Sequence, residues 1–166
     1  MPRAEVLVSW GLIVIPEVRE LLIRERAPFE VTGPRLAPEP GSAAASHTAC
    51  RQLARVVIVR DGDWYAMTVL PAAARLDLPQ LRRRTGRYGL AVMEGDTIEG
   101  QVLDCPIGVM PPFGRVFGLP VYLDRAFAEE AAIVFESGPD HEEINMPMGA
   151  YVRVERPAIV PLARAG

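Results

Sequence analysis

The stretch from Cys105 to Pro120 reads CPIGVMPPFGRVFGLP and combines two kinds of residue that rarely share a surface loop. Glycine and proline mark it as irregular backbone. Ile107, Val109, Met110, Phe113, Val116, Phe117 and Leu119 nonetheless demand burial, so the segment must fold inward and line something. Gly108 and Gly114 permit backbone conformations that other residues resist, and Pro111-Pro112 stiffens the chain between them. A rigid glycine-rich loop of this kind can point backbone N–H groups at a carbonyl or phosphate oxygen. The alternative is a buried turn between two strands.

Other chemistry-bearing residues are more scattered. His47 and Cys50 fall three apart on an expected helix and share a face. A zinc site would need Cys105 and His141 to converge on them from loops without ligand spacing, so the reading is a buried thiol, a hydrogen-bonded imidazole and no metal. His141 is followed by Glu142 and Glu143 in a polar turn after Ser137-Gly138. Asp124 ends an expected strand beside the loop, where ordering the loop backbone or capping the next helix is the favoured role. Arg82, Arg83, Arg84 and Arg87 form a basic cluster that is either a solvated helix face or a contact for phosphates.

These residues need a scaffold. Pro16 suits a first helical turn, and Val18, Leu21 and Leu22 follow on one face until Pro28 stops the helix. Phe29–Val31 reads as a short strand and residues 32–42 as a loop holding Pro34, Pro38 and Pro40. Ser42 is a suitable cap for a helix over residues 43–54. Val56–Val59 and Trp64–Leu70 flank Asp61-Gly62-Asp63 as a hairpin. Asp77 caps a helix over Leu78–Thr85 that Gly86 ends. Leu90–Met93 is an expected strand and Asp96–Leu103 a short helix. Val121–Asp124 and Ile133–Phe135 are strands around a short Ala/Glu helix, Ile144 begins a last strand, and Met148–Val154 is a terminal helix. No regular βαβ rhythm emerges. The expectation is α+β: one compact domain over residues 16–166, with a mixed or antiparallel curved, barrel-like sheet among short helices, and residues 1–15 as an extension.

Composition limits the function classes. The chain has 166 residues, enough for one domain that buries roughly 68–70% of its unfolded surface. Hydrophobic residues make up 49% and charged residues 23%, which excludes a disordered chain. No run approaches the ~20 apolar residues of a membrane span, and VLVSWGLIVI near the N-terminus lacks a cleavage site, so a cytoplasmic location is expected. The net charge is −3, so any nucleic-acid contact should be local. All 18 basic residues are arginine.

Residue order adds a resemblance. Ala54-Arg-Val-Val-Ile-Val-Arg-Asp-Gly-Asp63, Val69-Leu-Pro-Ala72, Arg75-Leu-Asp-Leu78, Asp104–Gly114, Gly118-Leu-Pro-Val-Tyr-Leu-Asp124 and Ile133–Gly138 together resemble the YbaK/EbsC-type family. Its members are free-standing relatives of the editing domain in bacterial prolyl-tRNA synthetase, and the likeness spans about residues 16–157. It implies hydrolysis of mischarged aminoacyl-tRNA with no cofactor. The partner is the tRNA 3′ end, with a synthetase as a further candidate. The family's G-x-x-x-P glycine lies against the aminoacyl ester and corresponds to Gly108 here, with Pro112 closing the motif. Val109, Met110, Phe113 and Gly114 would complete an apolar, size-limited pocket. Ser137, Gly138, His141 and Glu143 fall where the family places polar residues near substrate. The family's signature lysine is replaced by Arg55, which keeps the charge but offers a fork in place of a compact ammonium. Two functions are therefore expected in order: a trans-editing deacylase favouring tRNA(Pro)-type substrates, with Arg55 and Gly108 in its catalytic site, or a weakened or inactive binding module for aminoacyl-tRNA or a nucleotide-like ligand.

Overall fold

A computed structural model describes residues 16–34, 51–93, 110–137 and 142–164. Helix α1 (Pro16–Arg24) places Val18, Leu21 and Leu22 inward, and Arg26 turns out of it at φ 53°. Pro28 then forbids further helix, and β1 (Glu30–Pro34) begins. Of the helix expected over 43–54, residues 43–50 lie outside the described residues, as does the helix expected over 96–103. Residues 51 and 52 are helical, but Leu53 forms a bridge and Ala54 already begins a strand.

Strands β2 (Ala54–Asp61) and β3 (Trp64–Pro71) form the expected hairpin, Asp61 opposite Trp64. Gly62, at φ 60°, supplies the positive φ that a two-residue turn needs at its first position. The uninterrupted apolar runs follow from burial on both faces. Val56, Ile58, Met67 and Val69 pack into one core, and Val57, Val59, Ala66 and Leu70 into another. Thr68 survives between them, fully buried, because its hydroxyl donates to the Val57 carbonyl at 2.6 Å.

After β4 (Arg75–Leu76), the Asp77 side chain accepts the Gln80 N–H at 3.0 Å and starts α2 (Leu78–Thr85). Gly86, at φ 68°, ends it. Strand β5 (Ala91–Val92) then pairs with β2. The long loop is not irregular throughout, since it contains a one-turn helix, α3 (Gly114–Phe117). Strand β6 (Val121–Asp124) lies parallel to β3, and a 3-10 helix (Arg125–Glu129) takes the place of the short Ala/Glu helix.

Strands β7 (Ala132–Ser137) and β8 (Glu142–Pro147) pair antiparallel, with β1 on the far side of β8. Helix α4 (Met148–Glu155) follows. It is not terminal and β8 is not the last strand: β9 (Ala158–Val160) joins β6 in parallel and β10 (Ala163–Arg164) pairs with β4. The described strands form a five-stranded mixed sheet (β5-β2-β3-β6-β9), a three-stranded antiparallel sheet (β1-β8-β7) and the β10-β4 pair. A parallel bridge from Leu53 to Val134 joins the two larger sheets. The chain thus has the expected mixed α+β architecture, with the curved sheet divided into open pieces. No helix among the described residues is long and apolar enough to cross a membrane.

Candidate functional site

The first described part of the loop folds inward. Every residue from Met110 to Gly114 is buried. The Phe113 N–H donates to the Pro111 carbonyl at 2.8 Å, a tight turn that Pro111-Pro112 pre-forms. The Phe113 ring is 0% exposed and meets Phe135 and Tyr151 edge-on, with ring centroids 5.5 and 5.4 Å away. The Tyr151 hydroxyl donates to the Pro112 carbonyl at 2.7 Å. Gly114 is fixed by space: a Cβ there would overlap the Leu119 carbonyl oxygen and a Val121 methyl. Beyond it the Leu119 N–H closes α3 onto the Gly114 carbonyl at 2.8 Å, and the Pro120 carbonyl accepts the Met67 N–H at 2.9 Å. The second half of the loop is thereby welded to β3 and to α4.

Glu155 is the most unusual ionisable group among the described residues. It is 5% exposed, its Oε1 accepts the Arg115 N–H at 3.0 Å, and its Oε2 is buried without a described partner. Burial pushes its pKa up to about 7, against the lowering influence of the Arg115 N–H, the Arg115 guanidinium and the Gly114 N–H. The same burial, with the Glu155 charge adding to it, raises the Tyr151 hydroxyl well above its ordinary value. Neither residue stood out in the sequence. The available signal was Glu155 following Met148 and Tyr151 on a helical stripe that otherwise faces the core.

The other expected site residues that are described lie on separate elements. Arg55 is exposed in β2 opposite Leu70, and strand alternation gives it the face of Val57 and Val59. The buried Met110–Gly114 segment packs in the other core, so the described residues do not bring Arg55 and this part of the loop together. Gly108, Val109, Gly138 and His141, like His47, Cys50 and Cys105, lie outside the described residues. Ser137 ends β7 opposite Glu142, and Glu143 stands opposite Glu136.

Two of the four clustered arginines have internal work. Arg82 donates to the Leu90 carbonyl from Nε and Nη2, at 3.0 and 2.6 Å. Arg87 lies 4.1 Å over the Trp64 ring and 3.5 Å from Asp61. Arg83 and Arg84 are exposed, as is Tyr88 at 73%. Asp124 has the expected capping role at the start of the 3-10 helix, but the backbone it orders is that of the C-terminal segment and not of the loop. Its Oδ1 accepts the Ala126 N–H at 2.9 Å, and its Oδ2 accepts those of Leu162 and Ala163 at 2.8 Å each.

A cavity of about 280 Å³ opens between α1 and α3, lined by Glu17, Glu20, Leu21, Arg24, Arg115 and Val116. It contains none of the residues expected to touch substrate. No cluster of three or more metal-ligating side chains occurs among the described residues.

Comparison with known proteins gives a family and a fold. The model of a family described as the aminoacyl-tRNA editing domain matches residues 41–153. No curated protein matches. Among solved structures, the hypothetical protein APE2540 superposes with a TM-score of 0.73 at 13% identity, covering 89% of this chain and 99% of the other. A candidate trans-editing enzyme for prolyl-tRNA synthetase gives 0.71 at 16% identity, over 89% of this chain and 95% of the other. A candidate signal-transduction protein from Marinobacter aquaeolei VT8 gives 0.69 at 22%, over 90% of this chain but 31% of that longer one. At these identities the structural likeness establishes the fold.

Proposed function

Since the chain belongs to the aminoacyl-tRNA editing domain family, we propose that it hydrolyses the ester linking a wrongly attached amino acid to the tRNA 3′ adenosine. The tRNA(Pro)-type substrates are favoured. The observation that carries this reading is the family match across residues 41–153, which includes the whole G-x-x-x-P loop.

In the proposed reaction a water oxygen attacks the ester carbonyl carbon, and the carbonyl oxygen takes up negative charge. Collapse breaks the bond to the ribose oxygen, which leaves with a proton. The products are a free amino acid and an intact tRNA. An aminoacyl ester is already activated, so the protein gains most by orienting substrate and water and by donating N–H groups to the oxyanion. Gly108 is the proposed position for that donation. Val109 and Met110 would limit the size of the side chain admitted, a second sieve that corrects the ~1–3 kcal/mol discrimination available per methylene. Phe113 supports this wall from the core behind it. Arg55 would anchor the ester carbonyl or the terminal phosphate, with Ser137, Gly138, His141 and Glu143 framing the opposite rim. Arg83 and Arg84 are the members of the basic cluster free to meet tRNA phosphates.

The second reading, a binding module without turnover, draws on Arg55 in place of the family lysine and on its position across β2 from Met110–Gly114. A deacylation time course on tRNA(Pro) carrying Ala, Ser or Cys separates the two. Turnover above spontaneous hydrolysis is the expected result, and Arg55→Lys should preserve or raise it. Binding without turnover, in both the native protein and Arg55→Lys, would establish the module.

A further inference from the structure

Helix α4 reaches the loop through three hydrogen bonds to consecutive parts of its second half. The Tyr151 hydroxyl donates to Pro112, the Arg115 N–H donates to Glu155 and the Arg115 guanidinium donates to the Val154 carbonyl at 2.7 Å. We propose that Tyr151 and Glu155, one turn apart on α4, are positioning residues that brace the G-x-x-x-P loop from behind and hold its backbone in the geometry hydrolysis needs. This inference rests on the deacylase reading.

Three features set these contacts apart from ordinary core packing. Apolar contacts around Phe113 are non-directional, whereas a 2.7 Å bond to the Pro112 carbonyl fixes the orientation of one peptide unit. That peptide ends the G-x-x-x-P motif itself. Glu155 is also an expensive choice for a purely structural position. A carboxyl 5% exposed, with one oxygen unpaired among the described residues, would be replaced at a gain by an apolar side chain if stability were its only service. What it provides is a clamp on the Arg115 N–H in the first turn of α3, where the loop turns back toward β6.

The clamp is also sensitive to pH. Its ionised form accepts the Arg115 N–H as a charge-assisted bond, and burial places its titration at about 7. The groups around it are the Arg115 guanidinium on α3 and Tyr151 on its own helix. On α1, Glu17, Glu20 and Arg24 line the cavity that Arg115 shares. Arg153 turns away to the Glu25 carbonyl, and Arg156 caps the end of α4. As pH rises through about 7 the brace should tighten and the hydrolytic rate should rise with it.

The test follows the Gly114 and Arg115 amide resonances of the full chain from pH 5.5 to 8.5. In parallel, single-turnover deacylation of mischarged tRNA is measured at each pH and corrected for spontaneous hydrolysis. The expected result is a shared midpoint near 7 that disappears in Glu155→Gln, whose rate stays at the low-pH plateau. Tyr151→Phe, with native chemical shifts elsewhere, should lower kcat about tenfold at unchanged KM, as expected for a loosened reacting geometry. Amides that do not titrate, together with native rates in Tyr151→Phe and Glu155→Gln, would remove the brace and leave the deacylase. Titrating amides in a protein inert on every substrate would leave the brace and remove the deacylase. Native rates and pH profiles in both variants would overturn the proposal.

Discussion

Gly108 and Gly114 read alike as permissive residues in one loop, yet Gly114 is required for a reason unrelated to φ. It lies outside the left-handed region, and the Leu119 carbonyl and Val121 methyl occupy the volume a side chain would need. A carbonyl oxygen held in the Gly114–Leu119 turn cannot step aside as a flexible side chain would. Gly114→Ala should therefore cost about 2–3 kcal/mol, the range of overpacked cores, and lower the thermal midpoint by about 5–10 °C. A melt within 1–2 °C of the native protein (about the effect of a neutral surface change) would show that the turn can open. The arginine cluster teaches a similar lesson at single residues. Sequence spacing groups Arg82 and Arg87 with Arg83 and Arg84, but only the first two have described carbonyl, ring and carboxylate partners within the chain.

At the scale of elements, α4 balances stability against geometry, and the sign of that balance can be measured. Folding raises the Glu155 pKa from 4.5 to about 7, so the folded state holds this proton more tightly than the unfolded one. The associated stability is fully present below 4.5 and is lost as pH rises through about 7. The loss is on the order of 2–3 kcal/mol, given a shift of this size on a largely buried group. Thermal midpoints of the native protein should fall between pH 5 and 8, and Glu155→Gln should flatten that fall. Parallel curves for the two proteins would mean the carboxyl is paired in solution. Elements whose signals are local were legible in the sequence: the β2–β3 hairpin through Gly62, α2 through Asp77 and Gly86, and α1 through its apolar stripe. Helix α3 was missed because four residues carry no periodicity and Phe113, its N-cap, offers no side-chain bond. Strands β9 and β10 are two or three residues long and exist through distant partners, β6 and β4. Of the site, the inward fold of Met110–Gly114 was legible from composition. The α4 contacts were not, because they join residues 39 and 40 positions apart.

Across the whole molecule, closure of the C-terminal segment depends on one side chain at the end of β6 in the five-stranded sheet. Asp124 is 3% exposed at the end of β6 and accepts three backbone N–H groups, two of them from Leu162 and Ala163. Those bonds turn the chain between β9, which pairs with β6, and β10, which pairs with β4. Leu162 then fills the second core beside Leu81 and Leu90, and its carbonyl accepts the Asp77 N–H at 2.7 Å, tying the segment to the start of α2. The conformation is cooperative: without the carboxylate, the Leu162 and Ala163 N–H groups lose their acceptor and Leu162 has less reason to stay inside. Asp124→Ala should destabilise the fold by on the order of 3 kcal/mol, the cost of stranding buried donors that had a charged partner. Hydrogen exchange should rise at residues 158–164 and in β4 before it rises in the β2–β3 hairpin, because only the former elements lose their clasp. Exchange that rises uniformly would mean Asp124 supports the sheet as a whole. Protection of residues 158–164 that survives the substitution would place the closure in the Leu162 side chain instead.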